Sequence, residues 1–431
     1  MRYGSGMARV GQQIAGLGED RLPGQIAVGV LTKVFPPSLV DEVVAAAGVG
    51  EQRIRVLPAR LVVYYNLAMI VFLQSSYGQV WTKLVGGLGW AKSFRMRVAV
   101  GMSPSPAAIS KARSRLGWQV MADLLDRVAG PLAGRDDGWA YVAGLRLVAF
   151  DGLTVDVPDS AANAAAFGRP GGGAGAGAFP QVRVVALAEC GSRAVMGARC
   201  AGITVGEQTL TAELTGLLGE GLLVAADRNF LSHGALAQVL ATGAHVLWRA
   251  RSDIDLPVIS VLDDGTYISR IADPNTSRRL RRAGKSGADI PGITVRVIEY
   301  SVTTEEGNDV SELFCLVTDL LDPGQLSAQQ AAQAYGQRWQ IETAFAELET
   351  GIRGGPAVVL RSKSPDMIRQ ELYALLCTYQ AIRTLICHAA AAEGLDPDRI
   401  SFTRAKEAIA ARVSDAAAFS PPLTSPTFTT T

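Results

Sequence analysis

Two strand-like apolar runs in this chain each end in an aspartate, which limits the folds open to it. The runs are LVAFDG, which reaches Asp151, and LLVAADRNF, which reaches Asp227. A third acid, Glu342, lies on the strongly periodic helical segment YGQRWQIETAFAELE. Three carboxylates that converge from distant segments repel one another unless a cation neutralises them. The pattern therefore predicts a mixed α/β fold that gathers these acids around divalent metal ions for phosphoryl transfer.

The charge of the chain is divided unevenly, although the net charge is only +1. Residues 1–135 hold 16 Lys and Arg against 7 Asp and Glu, and the remainder holds 25 against 33. No acidic residue lies between Glu51 and Asp123. That window carries ten basic residues: Arg53, Arg55, Arg60, Lys83, Lys92, Arg95, Arg97, Lys111, Arg113 and Arg115. Such a surface is typical of binding to a phosphate backbone, and a solvated helical face is the alternative.

Composition excludes several classes of protein. With 48% hydrophobic and 19% charged residues, a chain of 431 residues is globular and has room for two or three domains. Five cysteines without CxxC spacing and the lack of a signal-peptide pattern predict reduced thiols in a cytoplasm. Three histidines are too few for a zinc site. The longest apolar run, LVVYYNLAMIVFL, has 13 residues and is too short to span a membrane.

The periodicity of the chain changes from helical to strand-like near residue 140. Over 140–251 the pattern predicts the order β-β-β-α-β-α-β, a mixed sheet flanked by helices as in ribonuclease H-like domains, where ligands gather beyond strand ends. Six segments follow from the whole pattern: a flexible N-terminus (1–25), an all-α DNA-binding domain (26–135), the first part of the core (140–251), an all-β insertion (252–325), the core completion with the Glu342 helix and C-terminal helices (326–412), and a disordered tail (413–431).

For two further segments, phosphate binding is one of two possible interpretations. The Gly-rich stretch NAAAFGRPGGGAGAGAFP lacks GK[ST], so a flexible connection is favoured over a phosphate cradle. The insertion contains SRRLRRAGK at 277–285. DNA contact and a charged hairpin tip are equally open for that patch.

The predicted helix 327–350 places four polar residues on one face. At 100° per residue, Tyr335, Arg338, Glu342 and Glu349 fall within a narrow arc beside an apolar stripe. Glu342 would then lie at the border between core and cleft, and Arg338 could hold a phosphate with its planar fork. Taken alone, Arg338 and Glu342 are an ordinary i,i+4 pair, and each aspartate is an ordinary turn acid. The catalytic interpretation depends on the three segments together.

These segments together resemble the bacterial DDE transposases of the insertion-sequence-four family. DGLTVDVPDSAANAAAFG is similar to the first catalytic block of that family, and AADRNF is similar to the second. YGQRWQIETAFAELE resembles the signature Y-x2-R-x3-E-x6-K. RIRVLPARLVVYYNLAM and AISKARSRLG resemble the N-terminal helical domain.

The resemblance implies the roles of the site residues. Asp151, Asp227 and Glu342 would be catalytic ligands of two Mg²⁺ ions, for which Mn²⁺ can substitute, with Asp151 bridging both. Tyr335 and Arg338 would contact DNA beside them. In the helical domain, we expect DNA contacts from Lys111, Arg113, Arg115, Arg95 and Arg97.

The resemblance also implies a ribonuclease H-like core and cut-and-paste transposition. A homodimer would hold the two terminal inverted repeats of the element in a synaptic complex. Hydrolysis would leave a 3′-hydroxyl at the element's end, which then attacks target DNA. The partner is therefore double-stranded DNA, and no membrane is involved.

The chain departs from the family pattern at two places. The signature lysine falls on Glu349, which puts an anion where a cation would face phosphate, and the chain ends in Thr and Pro where relatives continue with basic residues. Two alternatives therefore stay open: an inactive DNA-binding remnant, and another ribonuclease H-like nuclease such as a junction resolvase.

Overall fold

The computed structural model describes most of the chain outside its two termini. The described residues are 31–32, 34–50, 57–87, 104–171, 177–302, 312–355 and 358–412. The segments expected to be flexible (1–25) and disordered (413–431) lie outside these ranges, as do Arg95 and Arg97.

The N-terminal region is helical, as the periodicity predicts. Its helices are α1 (Pro37–Ala46), α2 (Ala59–Val71), α3 (Tyr77–Gly87), α4 (Pro106–Leu116) and α5 (Gln119–Val128). The hydroxyl of Ser105 accepts a hydrogen bond from the Ala108 amide at 3.2 Å, and Pro106 occupies the first turn. Ser105 is therefore the N-cap of α4, because a serine oxygen satisfies an amide that the first turn leaves open.

Ten strands form one sheet. They are β1 (Tyr141–Val142), β2 (Leu145–Asp156), β3 (Gln181–Glu189), β4 (Val195–Gly202), β5 (Leu222–Ala226), β6 (His245–Arg249), β7 (Ser260–Val261), β8 (Tyr267–Ile271), β9 (Ile293–Val302) and β10 (Glu312–Thr318). The order across the sheet is β4-β3-β2-β5-β6-β10-β9-β8-β7, with β1 paired to β2. Strands β2, β5 and β6 are mutually parallel, and the other pairings are antiparallel. The predicted mixed sheet is therefore confirmed.

Helices cover both faces of this sheet. They are α6 (Ala161–Phe167), α7 (Glu207–Ala212), α8 (His233–Leu240), α9 (Pro274–Arg282), α10 (Ala328–Gln337), α11 (Trp339–Ala346), α12 (Pro365–Ala392) and α13 (Phe402–Arg412). Alternate residues of β2 enter different cores: Leu147 and Ala149 pack in one, and Val148 and Phe150 in the other. Burial on both faces explains why the strands at the centre are continuous apolar runs.

The long helix α12 connects the helical region to the sheet. The core that contains Leu147 and Ala149 also contains the buried residues of α2, α5 and α12. Trp118, just before α5, stacks on Tyr373 of α12 with ring centroids 5.8 Å apart. The helical region therefore shares a core with the sheet domain. No helix in the described ranges is long and apolar enough to cross a membrane.

The insertion is not all-β, contrary to the prediction. Strands β7 to β10 extend the central sheet, and the basic patch forms helix α9 between β8 and β9. A local signal explains the helix: the Asp273 carboxylate accepts a hydrogen bond from the Thr276 amide at 2.8 Å, and Pro274 occupies the first turn. Arginine and leucine then favour a helix, so the patch forms a helix in the connection between the antiparallel strands β8 and β9 instead of a simple turn.

The predicted helix 327–350 is continuous in direction but not in hydrogen bonding. A capping box joins Ser327 and Gln330 at the start of α10. Arg338 keeps helical backbone angles between α10 and α11, and the last turns form a π-helix over Glu347–Ile352. The π-helix changes the angular positions of residues after Glu347, so the constant 100° step that grouped Glu349 with Glu342 does not hold there.

Candidate active site

The three carboxylates singled out by the sequence meet at one edge of the sheet. Asp151 lies in β2, and Asp227 directly follows β5, where the register pairs Phe150 with Ala226. Asp151 has the strand parity of Ala149, so it lies on the face covered by α12 and by α11, which carries Glu342. The fold thus brings together acids from three separate segments.

Asp151 is a carboxyl with a perturbed pKa. Burial is the main cause that raises its pKa, to about 6. The hydrogen bond from the Gly152 amide, at 2.8 Å, and the guanidinium of Arg338 lower the pKa, whereas the charges of Glu342 and Asp227 raise it further. The site therefore holds more negative charge than the protein itself neutralises.

Arg338 lies among these acids. One of its terminal nitrogens donates to Glu342 Oε1 at 2.6 Å, and the other is 3.8 Å from Asp151 Oδ2. The residue is only 6% exposed, and its Nε has no hydrogen-bond partner within the described chain. The i,i+4 pair expected from the sequence is thus present, and Arg338 also connects it to β2.

Tyr335 contacts the third acid. Its hydroxyl donates to Asp227 Oδ1 at 3.5 Å, and its ring is buried edge-on against Phe314, with centroids 6.1 Å apart. Burial is the main cause that raises the pKa of Tyr335. Because the ring is covered, Tyr335 offers no open ring face for the DNA contact that the resemblance implies. The geometry instead gives this residue contact with Asp227.

The sequence interpretation overlooked Trp339, which is 58% exposed beside this site. The guanidinium of Arg338 lies 5.6 Å from its ring centroid, and Glu342 is three residues further along α11. A single exposed aromatic ring is ordinary on a protein surface, so its position beside Arg338 and Glu342 is what distinguishes Trp339. The available signal was its i,i+3 spacing from Glu342 on a helix whose apolar stripe lies elsewhere.

The donor atoms suit hard divalent cations. Carboxylate oxygens are the ligands that Mg²⁺ prefers, and the unbalanced negative charge around Asp151 would be relieved by a cation. In the described ranges, no three His, Cys, Asp or Glu side chains converge closely enough to hold one ion. Arg338 separates Asp151 from Glu342, so the donors fit cations held between pairs of carboxylates after a shift of that side chain.

Glu349 neutralises an arginine of the protein. Its Oε1 accepts from Arg353 at 3.3 Å, and Arg353 is only 2% exposed. Burial lowers the pKa of Arg353, against the opposing charges of Glu349 and Asp156. The anion at the signature's lysine position is therefore balanced by a cation one helical turn later.

The basic residues expected to bind DNA divide into two groups. Lys111 and Arg115 are exposed, although Arg115 also donates to the Leu57 carbonyl at 2.7 Å. Arg113 is completely buried and ion-paired with Glu371 at 3.3 Å, so it has no surface to offer DNA. The expectation for Arg113 is wrong, because a position on the inner face of α4 outweighs the charge pattern around it.

Comparison with known proteins identifies both halves of the chain. Residues 25–126 match the model for the insertion element 4 transposase N-terminal region, and residues 143–380 match the transposase DDE domain. The chain is 25% identical over 370 residues to transposase InsG for insertion sequence element IS4 of Escherichia coli K12, an alignment that covers 85% of this chain and 78% of that protein.

The chain also resembles a solved structure, but less closely than it resembles InsG. The cryo-EM structure of a piggyBac transposase synaptic complex with hairpin DNA aligns with a TM-score of 0.48 and 9% identity. The alignment covers 93% of this chain and 83% of that one. At that score the likeness supports no functional conclusion.

Proposed function

This chain belongs to the DDE-domain transposases and is a DNA transposase, and we propose that Asp151, Asp227 and Glu342 are its catalytic carboxylates. The observation that carries the proposal is the convergence of these three acids at one sheet edge: Arg338 lies between Glu342 and Asp151, and Tyr335 contacts Asp227. Burial chiefly raises the pKa of Asp151 there, and the nearby charges of Glu342 and Asp227 raise it further. Acids that have only a structural role at strand ends do not need to lie close enough to repel one another.

The core is ribonuclease H-like under this proposal. In support, β2 lies between antiparallel β3 and parallel β5, and the first five core strands follow the order β4-β3-β2-β5-β6. The catalytic acids would then occupy the centre of the sheet, where β2 and β5 are adjacent.

Transposase DDE domains generally depend on divalent metal ions. Asp151, Asp227 and Glu342 would hold two Mg²⁺ ions. When bound, the two ions would stabilise negative charge on the attacking and leaving oxygens of the phosphodiester. Arg338 would have to move away from Asp151 and Glu342, which would free its planar fork to hold a phosphate oxygen.

The neighbouring residues position the acids and the DNA. Tyr335 holds Asp227 through its hydroxyl. Trp339 offers an exposed ring on which a base or sugar can pack. Lys111 and Arg115 contact the phosphate backbone of the repeat from the helical region.

The reaction proceeds in two steps. In the first, water attacks the phosphorus at the element's end, the bond to the 3′ oxygen breaks, and a 3′-hydroxyl and a 5′-phosphate remain. In the second, that hydroxyl attacks a phosphodiester of target DNA and displaces its 3′ oxygen. A homodimer would hold two terminal inverted repeats together during both steps.

The test is cleavage of a labelled duplex that carries the element's own terminal repeat, with Mg²⁺ or Mn²⁺. Wild type should cut at the repeat boundary, Glu342→Gln should not, and the matched control Glu407→Gln, at an exposed residue of α13, should cut like wild type. Equal cutting by Glu342→Gln would contradict the assignment.

Two other results would change the function. Specific binding by wild type without cutting would indicate an inactive remnant. Cutting that ignores a scrambled repeat would indicate a structure-specific nuclease instead of a transposase that reads its own ends.

A further inference from the structure

Helix α9 concentrates positive charge in a protein of nearly neutral charge. It carries Arg278, Arg279, Arg281 and Arg282, and Lys285 follows three residues after the helix ends. No acidic residue lies between Asp273 and Asp289. The family motifs do not include this segment, and the catalytic site does not use it.

The arginines of α9 lie on different sides of the helix. Asn275, Arg278, Arg279 and Arg282 follow the spacing i, i+3, i+4, i+7, so they share one face, and together with Ala283 they line an open surface depression. On another side, Arg281 forms an ion pair with Asp255. Leu280 is partly buried between them. The helix thus has an anchored side and an open cationic side.

The cationic side lacks neutralising partners. Within the described ranges, no carboxylate forms an ion pair with Arg278, Arg279 or Arg282. Arg278 bonds only inside its own helix, to Asn275 Oδ1 at 2.8 Å and to the Pro274 carbonyl at 3.2 Å. All three side chains are exposed and can reach a ligand.

Interaction with the helix dipole does not explain every arginine on this face. Cations in the last turn of a helix interact favourably with its dipole, which covers Arg279, Arg281 and Arg282. Arg278 lies before the last turn and forms a like-charge i,i+4 pair with Arg282, which is unfavourable in an isolated helix. A polyanion bound across the face would remove that repulsion.

Helix α9 begins near α8, the helix that follows Asp227 in the chain. Hydrogen bonds from Thr276 chiefly lower the pKa of Asp273, the residue that caps α9, and nearby His233 lowers it further. His233 begins α8, six residues after Asp227. The neighbouring strand β9 is tied to the start of α10, because buried Arg296 donates to Asp264 Oδ2 and to the Leu326 carbonyl, each at 2.6 Å.

We propose that the face formed by Asn275, Arg278, Arg279 and Arg282 binds the phosphate backbone of the duplex whose end occupies the catalytic site. The inference rests on the proposed function. Guanidinium groups without protein partners, spaced along one helical face, suit successive phosphates and carry no base-specific geometry. The face therefore adds affinity and orientation without reading sequence.

The experiment measures binding by fluorescence anisotropy of two labelled duplexes, one with the terminal repeat and one scrambled, over a range of salt concentrations. The test variant is Arg279→Gln/Arg282→Gln, which changes two exposed residues that make no ion pair in the described structure. The charge-matched control is Arg399→Gln/Arg404→Gln, two exposed arginines near the C-terminal helix α13. Thermal unfolding of each variant checks that the fold is intact.

We expect the test variant to bind both duplexes roughly tenfold more weakly at about 0.1 M salt, and the control to bind like wild type. The slope of log affinity against log salt should fall by roughly 2, about 1 for each lost phosphate contact. Unchanged affinity and slope would overturn the proposal.

Three further results separate a failure of this inference from a failure of the proposed function. A changed sedimentation mass without a changed salt slope would overturn the proposal, because it would assign the face to a protein partner. If wild type binds and cuts the repeat while the test variant binds equally well, only this inference fails. If wild type binds neither duplex, the proposed function fails and this inference fails with it.

Discussion

Two charged clusters in this molecule contain similar residues but differ in accessibility and charge balance. In the cluster between α4 and α12, Arg113 and Glu371 are both completely buried, and Arg113 also bonds to Asn66 at 2.8 Å and to Gln370 at 3.2 Å. At the sheet edge, Arg338 faces Glu342 and Asp151, and the side chain of Glu342 is 35% exposed.

The difference separates a structural cluster from a chemical one. A buried arginine with several hydrogen-bond acceptors is satisfied and has no capacity for a ligand. A cluster with excess carboxylate at an accessible edge has unused capacity for cations. Both clusters contain an arginine that the sequence interpretation assigned to DNA. Only Arg338 lies where DNA could reach it after a side-chain movement.

The largest expected effect follows from removing a carboxylate of the sheet edge. Asp151→Asn should reduce cleavage of the terminal repeat on the order of a thousandfold or more, because a ligand of the metal ions is lost. The melting temperature should stay equal or rise, because repulsion among the acids falls. Single-turnover cleavage and thermal unfolding check the two parts. A loss of activity that merely parallels unfolding would make this cluster structural too.

The opposite result is expected in the buried cluster. Glu371→Gln leaves the charge of Arg113 without its counter-ion and should lower the free energy of unfolding by roughly 3–5 kcal/mol. Activity per folded molecule should be unchanged. Urea unfolding measures the loss, and Lys111→Gln, at an exposed position of the same helix α4, serves as the control. A specific loss of DNA affinity in stable Glu371→Gln protein would contradict the comparison.

Glu349 tests whether a site residue of the family pattern has become structural in this chain. Glu349→Lys restores the signature lysine but places a cation beside buried Arg353, so unfolding should become easier by roughly 2–3 kcal/mol. Glu349→Gln should lower the free energy of unfolding by less than Glu349→Lys does. Denaturant unfolding of both variants gives the ranking. If Glu349→Lys were as stable as wild type and cut DNA faster, the contact between Glu349 and Arg353 would contribute nothing to stability.

The smallest expected effect is a pH dependence of metal-free stability. The pKa of Asp151 rises from 3.8 to about 6 on folding, so the folded state binds more protons in that interval. Its stabilising contribution is complete below about pH 3.8 and is lost as pH rises through about 6. In EDTA, raising the pH from 4 to 7 should cost about 1–2 kcal/mol through this group.

The control for that effect is Asp151→Asn, which cannot ionise at this position. Its stability curve should lack the fall between pH 4 and 7, and the difference between the two proteins isolates the carboxyl. Parallel curves would show that Asp151 titrates as an exposed aspartate does, and would weaken the contrast between the clusters.

The sequence located the acids but not the behaviour of their neighbours. Strand runs that end in Asp151 and Asp227 are visible because strand burial imposes a local apolar pattern. The outcomes for Arg113 and Glu349 depend on partners 258 and 4 residues away, respectively. No local pattern distinguishes an exposed arginine from one that a distant carboxylate neutralises.

The insertion illustrates the same limit at the level of secondary structure. The basic patch was open to a hairpin or a DNA surface, yet Asp273 and Pro274 already carried the helix-start signal that α9 uses. That local signal was available and was overlooked. The joining of β7 to β10 to the central sheet was not available, because strand pairing is set by the register between segments far apart in the chain.

The sequence by itself determined the family, the three acids, the helical N-terminal region and the mixed sheet, because each is encoded in local periodicity or in a short motif. Tertiary structure alone decided which charges are neutralised. It buried Arg113, turned Tyr335 toward Asp227 and left one face of α9 open. The physical reason is that a charge depends on its distance to partners and to water, and folding sets both distances.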